Sequence, residues 1–218
     1  MHRMFALIAA GLLPLSACRQ VPPPEMLARA DVEVVEEPRW RSVASPEDAD
    51  RIVRLAAAWA QALGQARRAG FTRALAREGA LLEPGTTLPL PAPTPGPYLC
   101  RLIRFGPPVP RGAVLTAYRP FFCYVGVDGE TLSIIKQTGT QRPSGYLWLD
   151  AAPSRLVFLG SMAAGAEERL IPYGADRRRD MIGVFERVED FRFRLVVPWP
   201  RSGAVLDVYE LVPNVIRD

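Results

Sequence analysis

The sequence predicts an α+β fold that is mainly β, with an N-terminal helical element packed on a C-terminal antiparallel up-and-down β-barrel of about eight strands. Two patterns in the 218 residues indicate this fold. Apolar residues recur every three or four positions before residue 70, which is typical of a helix with one buried face. From residue 98 onwards, short runs rich in Val, Ile, Phe, Tyr and Leu alternate with turn residues, which is typical of successive strands. Closing such a meander into a barrel removes its unpaired edges; an open sandwich is the alternative.

The start of the chain has the pattern of an export signal. Arg3 precedes an apolar run over residues 4–15 that is too short for a permanent membrane span. The motif LSAC, which ends at Cys18, resembles the lipobox at which bacterial lipoproteins are cut and acylated. We therefore expect a signal peptide over residues 1–17 and a lipid anchor on Cys18; an ordinary signal peptide with a chance cysteine and a short membrane anchor are the alternatives. Because Arg19 follows the cysteine instead of aspartate, we expect the periplasmic face of the outer membrane.

Two proline-containing segments separate the predicted units. Residues 18–39 contain three consecutive prolines near their start and show no periodicity, which predicts a flexible tether. Residues 83–97 contain six prolines. Since proline fixes φ and removes a backbone donor, this second segment predicts an extended strap, with a recognition loop as the alternative.

Residues 40–82 predict the helical element. Ser45 and Pro46 have the residue types of an N-cap and a first helical position. One apolar stripe follows, and Gly70 is placed to end the helix. A second, short helix is expected over residues 71–78. The predicted stripe consists of Ile52, Leu55, Ala56, Trp59, Leu63 and Ala66.

Residues 98–213 predict the barrel. Asp128 and Gly129 between two apolar runs are a hairpin signal. Cys100 and Cys123 lie in neighbouring runs and form an even pair in an oxidising compartment, which favours a disulfide over two buried thiols. The expected strands cover residues 98–105, 121–127, 131–137, 145–150, 155–162, 181–188, 191–197 and 205–212.

Ser133 and Lys136 have the S-x-x-K spacing of a serine nucleophile with a lysine base. That pair works at the start of a helix, where positions i and i+3 share a face. Here the residues follow a hairpin turn and lie among Leu132, Ile134 and Ile135, which predicts a strand. Because strand positions i and i+3 point to opposite sides, we do not expect this pair to be catalytic.

The sequence lacks the residues that several common kinds of catalytic and metal-binding site require. The one histidine is His2, inside the predicted signal peptide, so imidazole catalysis and histidine metal sites are not expected in the mature chain. No nucleophile-elbow, P-loop, dinucleotide or calcium-loop motif is present in the sequence. Glu186 and Glu210 have the residue type of a glycosidase pair, but we expect them to pair with Arg187 or Arg192. We therefore expect no enzyme activity, no cofactor and no metal.

The link over residues 136–145 predicts a shaped polar loop. Lys136, Gln141 and Arg142 are its candidate partner-contact residues, and a rigid turn closing one end of the barrel is the alternative. The formal net charge is +4, but arginines and acids alternate along the chain. This mixed surface does not predict nucleic-acid binding.

A scattered set of residues between Trp40 and Pro213 agrees in order and spacing with a known family. The chain resembles the bacterial lipoproteins catalogued as a domain of unknown function, number 4893. This resemblance implies a single domain at the predicted cellular location, and it implies no particular activity. A weaker, fold-level likeness to small periplasmic protease inhibitors and lipocalins rests on the strand count, the disulfide and residues 191–195. The residues that carry the family resemblance are Trp40, Trp59, Tyr98, Cys100, Arg101, Cys123, Lys136, Gly139, Gln141, Arg142, Phe158, Gly160, Tyr173, Arg179, Asp180, Gly183, Glu186, Arg187, Arg194, Leu195, Val196, Leu206, Asp207, Val208, Glu210 and Leu211.

These expectations lead to one function hypothesis and two alternatives. The first is an outer-membrane-anchored periplasmic lipoprotein that acts as a non-enzymatic binding or envelope-interaction module, inhibitor-like in character, with an envelope protein as partner. The second is a lipocalin-like carrier of a small apolar ligand inside the barrel. The third is a histidine-free hydrolase of envelope polymers.

Overall fold

The computed structural model describes residues 37–106, 113–165 and 171–214. The predicted signal peptide, Cys18 and nearly all of the predicted tether lie outside the described residues. The described chain contains several helices followed by an antiparallel β-barrel, which confirms the predicted α+β, mainly β fold. No helix among the described residues has the length and apolar character needed to cross a membrane.

The helical element begins as its residue types predict. The Ser45 hydroxyl accepts a hydrogen bond from the backbone N–H of Asp48 at 3.2 Å, and Pro46 is the first helical residue. This cap satisfies one of the donors left free at a helix start. The helices are α1 Trp40–Val43, α2 Pro46–Val53, α3 Leu55–Arg68 and α4 Thr72–Glu78, followed by a 3₁₀ turn Gly79–Leu82.

The predicted apolar stripe is divided between two helices. Arg54 leaves the helical conformation, with φ −92° and ψ 12°, and separates α2 from α3. The break shifts the buried face, so the prediction that Ala56 is buried is wrong and Ala58 is buried instead. Trp59 is buried as predicted, and its ring lies edge-on to Phe105 of the barrel at 6.5 Å between centroids.

All eight predicted strands are present, with one addition. Strand β2 is short, pairs with the end of β1 and was not predicted. Strand β5 begins four residues earlier than predicted, at Gln141 instead of Gly145. The strands are β1 Gly96–Phe105, β2 Leu115–Ala117, β3 Phe121–Asp128, β4 Thr131–Lys136, β5 Gln141–Leu149, β6 Arg155–Ala164, β7 Asp180–Glu189, β8 Arg192–Pro198 and β9 Leu206–Pro213.

The sheet closes on itself. From β3 to β9 each strand pairs antiparallel with the next, and β9 pairs with β1, which also pairs with β3. The closing register runs from Tyr98 opposite Pro213 to Phe105 opposite Leu206. The structure is therefore a closed eight-stranded barrel with β2 as an extra strand, and the sandwich alternative is wrong.

Alternation along the strands builds two separate cores. One core fills the barrel interior, and large side chains such as Phe158 and Phe185 are fully buried in it. The other lies between the helices and the outer face of the barrel, and includes Trp40, Trp59 and Val208. Helix α2 contacts β7, and α3 contacts β1, β8 and β9. The helices therefore cover one side of the barrel wall.

Candidate functional site

The predicted disulfide between Cys100 and Cys123 is present inside the barrel. It joins neighbouring strands β1 and β3, with a Cα–Cα distance of 5.9 Å. Both residues are buried, at 1% and 5% exposure. This burial in the packed interior assigns the pair a structural role instead of a redox role.

The S-x-x-K pair lies on strand β4, as the sequence predicts. Ile134 belongs to the interior core, and Lys136 shares its face, whereas Ser133 faces outwards. The Lys136 ammonium lies 4.2 Å from the centroid of the Phe121 ring. Burial lowers the pKa of Lys136. Serine and lysine on opposite faces of a strand do not form a nucleophile–base pair.

The three candidate partner-contact residues do not share one loop. Residues 141–145 belong to β5, where Arg142 is opposite Ala163, so the predicted loop is wrong over those residues. Pro143 and Gly145 suggested a turn, but pairing with β6 holds this segment extended. Strand alternation places Gln141 with Lys136 towards the interior and Arg142 on the outer wall. Their role in partner contact stays a prediction.

The first cavity, which we call the barrel mouth, opens beside Gln141 at one end of the interior and has a volume of about 210 Å³. Arg104 donates from Nε and Nη2 to both carboxylate oxygens of Asp207, at 2.7 and 2.6 Å. This hydrogen bonding raises the pKa of Arg104, so the buried guanidinium stays charged. On the rim, Arg201 donates to Glu47 at 3.0 Å. These arginines are thus already matched by carboxylates.

The second cavity, which we call the groove, lies on the outer wall and has a volume of about 450 Å³. It lies between β4–β6, α1 and residues 171–173, and mixes apolar surface with hydroxyl groups. Its size is that of a ligand-binding cleft. Its lining consists of Val43, Asp128, Ser133, Ile135, Ser144, Gly145, Tyr146, Trp148, Leu159, Ile171, Pro172 and Tyr173.

Hydrogen bonds fix the rim of the groove. The Tyr146 hydroxyl donates to Asp128 at 2.8 Å, and this bond raises the pKa of Tyr146. The Tyr173 hydroxyl donates to Asp48 at 2.6 Å and accepts from the N–H of Ser45 at 3.0 Å. Burial raises the pKa of Tyr173. The rim of the groove therefore carries two neutral tyrosine hydroxyl groups, each held in place by a hydrogen bond to an aspartate.

Three buried donor groups on two side chains of β5 lack a hydrogen-bond partner within the described ranges. They are the Trp148 indole N–H and the Nε and Nη2 groups of Arg142. By contrast, the indoles of Trp40 and Trp199 donate to Asp150 and Gln61 at 3.0 and 3.1 Å. Leaving a buried donor unpaired costs about 1–3 kcal/mol, and more for a charged group. Sequence reasoning did not single out Trp148, although the spacing Arg142-x-Ser-x-Tyr-x-Trp148 carries the signal of one polar strand face.

A patch of exposed apolar side chains adjoins the groove. Phe122 is 48% exposed and lies opposite Leu99, which in turn lies opposite Val212. Tyr124 is 42% exposed and lies opposite Ile135 of the groove. We call these five residues the open wall. A contiguous exposed apolar surface of this kind marks an interaction site in soluble proteins.

Glu186 and Glu210, which have the residue type of a glycosidase pair, are both bound by arginines, as expected. Glu210 accepts from Arg192 at 2.6 Å, as predicted, and also from Arg101 at 2.8 Å. Glu186 accepts from Arg194 at 2.6 Å and not from Arg187. Arg194 lies directly opposite Glu186 in the register of β7 and β8, whereas a neighbour in sequence points to the other face. Within the described ranges, no group of three metal-ligating side chains is found.

Fold and site together define a closed antiparallel β-barrel whose outer wall is partly covered by helices and carries a groove beside α1 and an open wall. A family model with the description "Domain of unknown function (DUF4893)" matches residues 40–211. The chain belongs to this family, as its residue pattern suggested. Comparison with curated proteins and with solved structures found no match.

Proposed function

We propose that the protein is a non-enzymatic binding module, lipid-anchored at Cys18 to the periplasmic face of the outer membrane, which contacts an envelope protein through the open wall and the groove. The observation that carries this proposal is the continuous apolar surface from Val212 through Phe122 and Tyr124 to Ile135. Exposing these side chains to water has no benefit for folding. Covering them with a partner stabilises the complex.

The interior of the barrel gives less support to a lipocalin-like carrier. Its centre is filled by Tyr98, Phe158, Phe185 and Phe193, all with 5% exposure or less. The rings of Phe185 and Phe193 stack at 5.7 Å between centroids. A ligand inside would have to displace close-packed side chains. The groove, on the outer wall, needs no such displacement.

The carboxylates give less support to a hydrolase of envelope polymers. A glycosidase needs one carboxyl group that can hold a proton and a second one free to attack or activate water. Glu210 is bound by Arg101 and Arg192, and Glu186 is bound by Arg194. These arginine partners occupy the carboxylate oxygens that such a reaction would need.

Crosslinking in the cells that make the protein tests the binding surface. A photoreactive p-benzoylphenylalanine in place of Phe122 should give crosslinked products of discrete, higher mass on irradiation. The matched control is the same residue in place of Val53, which is 68% exposed but lies on α2, the helix that contacts β7. Equal products from both positions, or none from position 122, would contradict the proposal.

The anchor is tested separately. Globomycin, which blocks lipoprotein signal cleavage, should cause the precursor to accumulate, and Cys18→Ser should prevent acylation. Labelled palmitate incorporated by the natural sequence and absent from Cys18→Ser supports the anchor. A precursor whose size does not respond to globomycin would remove this part of the proposal without affecting the open wall.

A further inference from the structure

Four strongly exposed apolar side chains lie at one end of the barrel, opposite to the barrel mouth. Among the described residues, five large apolar side chains are more than half exposed, and four of these share this end. Three lie in or beside the β3–β4, β5–β6 and β7–β8 turns, which an up-and-down barrel brings to the same end, and the fourth follows the strap residue that pairs with β7. We call this surface the strap end, and its four apolar side chains are Leu90, Val127, Leu149 and Phe191.

The strap over residues 83–97 is held against this end by side chains of the barrel. Tyr98 belongs to the interior core, and its hydroxyl donates to the carbonyl of Thr94 at 2.8 Å. Near the end of β7, Arg187 donates from Nη2 to the carbonyl of Pro89 at 2.6 Å. The strap is therefore fixed where the barrel interior ends, and its exposed side chains point to solvent.

Leu90, near the middle of the strap, has a backbone conformation that leucine rarely adopts. Its φ is 58°, which lies in the left-handed region where the Cβ atom is crowded. Pro91 follows it and is buried, so the chain is rigidly supported on that side. Backbone strain and exposure of an apolar side chain both reduce stability, and strain of this kind is found mainly at functional sites. The strap therefore presents Leu90 outwards at the expense of stability.

The chain that leads from the proposed lipid anchor enters the described part of the protein at this same end. The Trp40 indole, in the first helical turn, donates to Asp150 at 3.0 Å, and Asp150 directly follows β5. Residues 19–36 separate Cys18 from the described chain, and they can span at most about 65 Å. A short tether raises the local concentration of the bilayer at this end, so that weak direct contacts are sufficient.

The charge of the strap end distinguishes between kinds of lipid surface. Four acidic residues lie in its turns, and among the described residues only Glu189 has an arginine partner there, Arg192 at 3.1 Å. Negative charge is repelled by anionic headgroups, so attraction to a bilayer has to come from apolar contact. The pattern therefore favours a neutral lipid surface. The four acids are Asp128, Glu130, Glu189 and Asp190.

We propose that the strap end lies on the membrane and inserts its four apolar side chains between neutral lipid headgroups. This inference rests on the lipid anchor of the proposed function and adds a second, direct contact with the same bilayer. The strength of such a contact grows with the apolar area that it buries. In this orientation the open wall and the groove lie on the side of the barrel, where a protein partner can reach them.

A fluorescent probe on the acylated protein, reconstituted in neutral phosphatidylcholine vesicles, tests the contact. Asp190→Cys places one free thiol in the β7–β8 turn, because Cys18 carries the proposed lipid and Cys100 is joined to Cys123. An NBD label on this thiol should emit at shorter wavelength than in water. Lipids that carry a doxyl group should quench its emission.

The matched control is the same label on Val53→Cys. Val53 is exposed at the end of α2, and its neighbour Arg54 lies over the ring of Trp199, in the β8–β9 connection at the opposite end of the barrel. We expect neither a shift nor quenching at this position. Equal responses at both positions, or no response at position 190, would overturn the inference.

Flotation of the non-acylated chain measures the apolar contact separately from the anchor. In the Cys18→Ser chain without its signal peptide, Leu90→Ser or Phe191→Ser should each lower the partition into neutral vesicles by about tenfold, because each removes a large apolar side chain from the contact. Val53→Ser should leave the partition unchanged. Adding phosphatidylglycerol should lower it, because the turns of the strap end are acidic.

The two parts of the reasoning fail separately. No partition of the Cys18→Ser chain, an unaltered partition in both serine variants, or a partition that rises with phosphatidylglycerol would overturn the membrane contact. Crosslinked products at Phe122 together with any of these results leave the open wall as a binding surface. Successful flotation without such products removes the open wall instead and retains the membrane contact.

Discussion

Arg194 joins the helical element to the barrel, and its removal should be the most damaging single change at this contact. The side chain is 1% exposed and donates from Nε to Glu186 at 2.6 Å. Its Nη1 donates to three carbonyls of the segment after α4, at 2.9–3.1 Å. The guanidinium also lies 5.3 Å from the centroid of the Trp59 ring. One side chain therefore satisfies acceptors from β7 and from the end of the helical element.

The expected cost of Arg194→Met follows from what the change leaves behind. Methionine fills a similar volume, so the loss of packing is small. Glu186 becomes a buried carboxylate without its partner, and removing one member of a buried ion pair costs about 3–5 kcal/mol. For a protein of this size each kcal/mol lowers Tm by about 2–4 °C, so we expect a decrease of about 6–20 °C.

Urea unfolding of the purified protein, followed by tryptophan fluorescence, measures the free energy of unfolding. Arg178→Met is the matched control, because the Arg178 side chain is 92% exposed and lies 3.6 Å from a carboxylate oxygen of Asp176. Exposed pairs of this kind contribute little, so the control should change the free energy by less than about 0.5 kcal/mol. The double variant Arg194→Met, Glu186→Gln should recover part of the lost unfolding free energy, because it removes the unpaired buried charge of Glu186.

A cost below about 1 kcal/mol for Arg194→Met would refute this reasoning. It would mean that Glu186 reaches water when its partner is absent, and that the contact between the helical element and β7 is loose. If the single and double variants lose the same unfolding free energy, the unpaired charge of Glu186 is not the cause of the loss.

The remaining predictions concern the interior and the barrel ends. The double variant Cys100→Ser, Cys123→Ser should lose about 3 kcal/mol of unfolding free energy, because the disulfide closes a loop with a sequence separation of 23; unfolding with and without reductant should show the same difference. Burial raises the pKa of Asp150, but hydrogen bonds from Arg155 and Trp40 outweigh burial and hold its pKa below the ordinary value. A depressed pKa contributes stability that is complete above about pH 4 and is lost as pH falls, so Asp150→Asn should cost about 2 kcal/mol at pH 7 and show a weaker loss between pH 5 and pH 3. Gly160→Ala should cost about 3 kcal/mol in the same assay, since the added methyl overlaps the Ser144 carbonyl on β5.

The eight barrel strands were predictable from sequence because each of them carries a pattern of closely spaced apolar residues over at least six positions. Strand β2 has three residues and no buried side chain, so it carries no such pattern. The start of β5 was missed for a different reason. Pro143 and Gly145 are turn formers locally, but Gly145 is needed where β5 and β6 approach each other closely. Gly145 therefore favours a turn by its local propensity, whereas its lack of a side chain allows the close packing of two strands.

The candidate site was less predictable than the fold because it depends on register between strands distant in sequence. Ser133 comes next to Tyr146 only through the pairing of β4 with β5, and Tyr173 bonds to Asp48 across a sequence separation of 125. Lys136 and Arg142 are close in sequence, yet they lie on opposite faces of the sheet. A composition-based search for a polar loop cannot separate these two faces.

Arg142 and Arg194 offer a comparison in which the same substitution should have opposite effects. Arg194 binds Glu186 and three carbonyl oxygens, whereas the buried Nε and Nη2 groups of Arg142 have no partner within the described ranges. Selection for stability alone would not retain a buried donor without a partner. It would not retain an exposed aromatic side chain such as Phe122 either. Arg142→Met should therefore raise the unfolding free energy by about 1 kcal/mol. A loss of more than about 1 kcal/mol would instead show that Arg142 supports the fold.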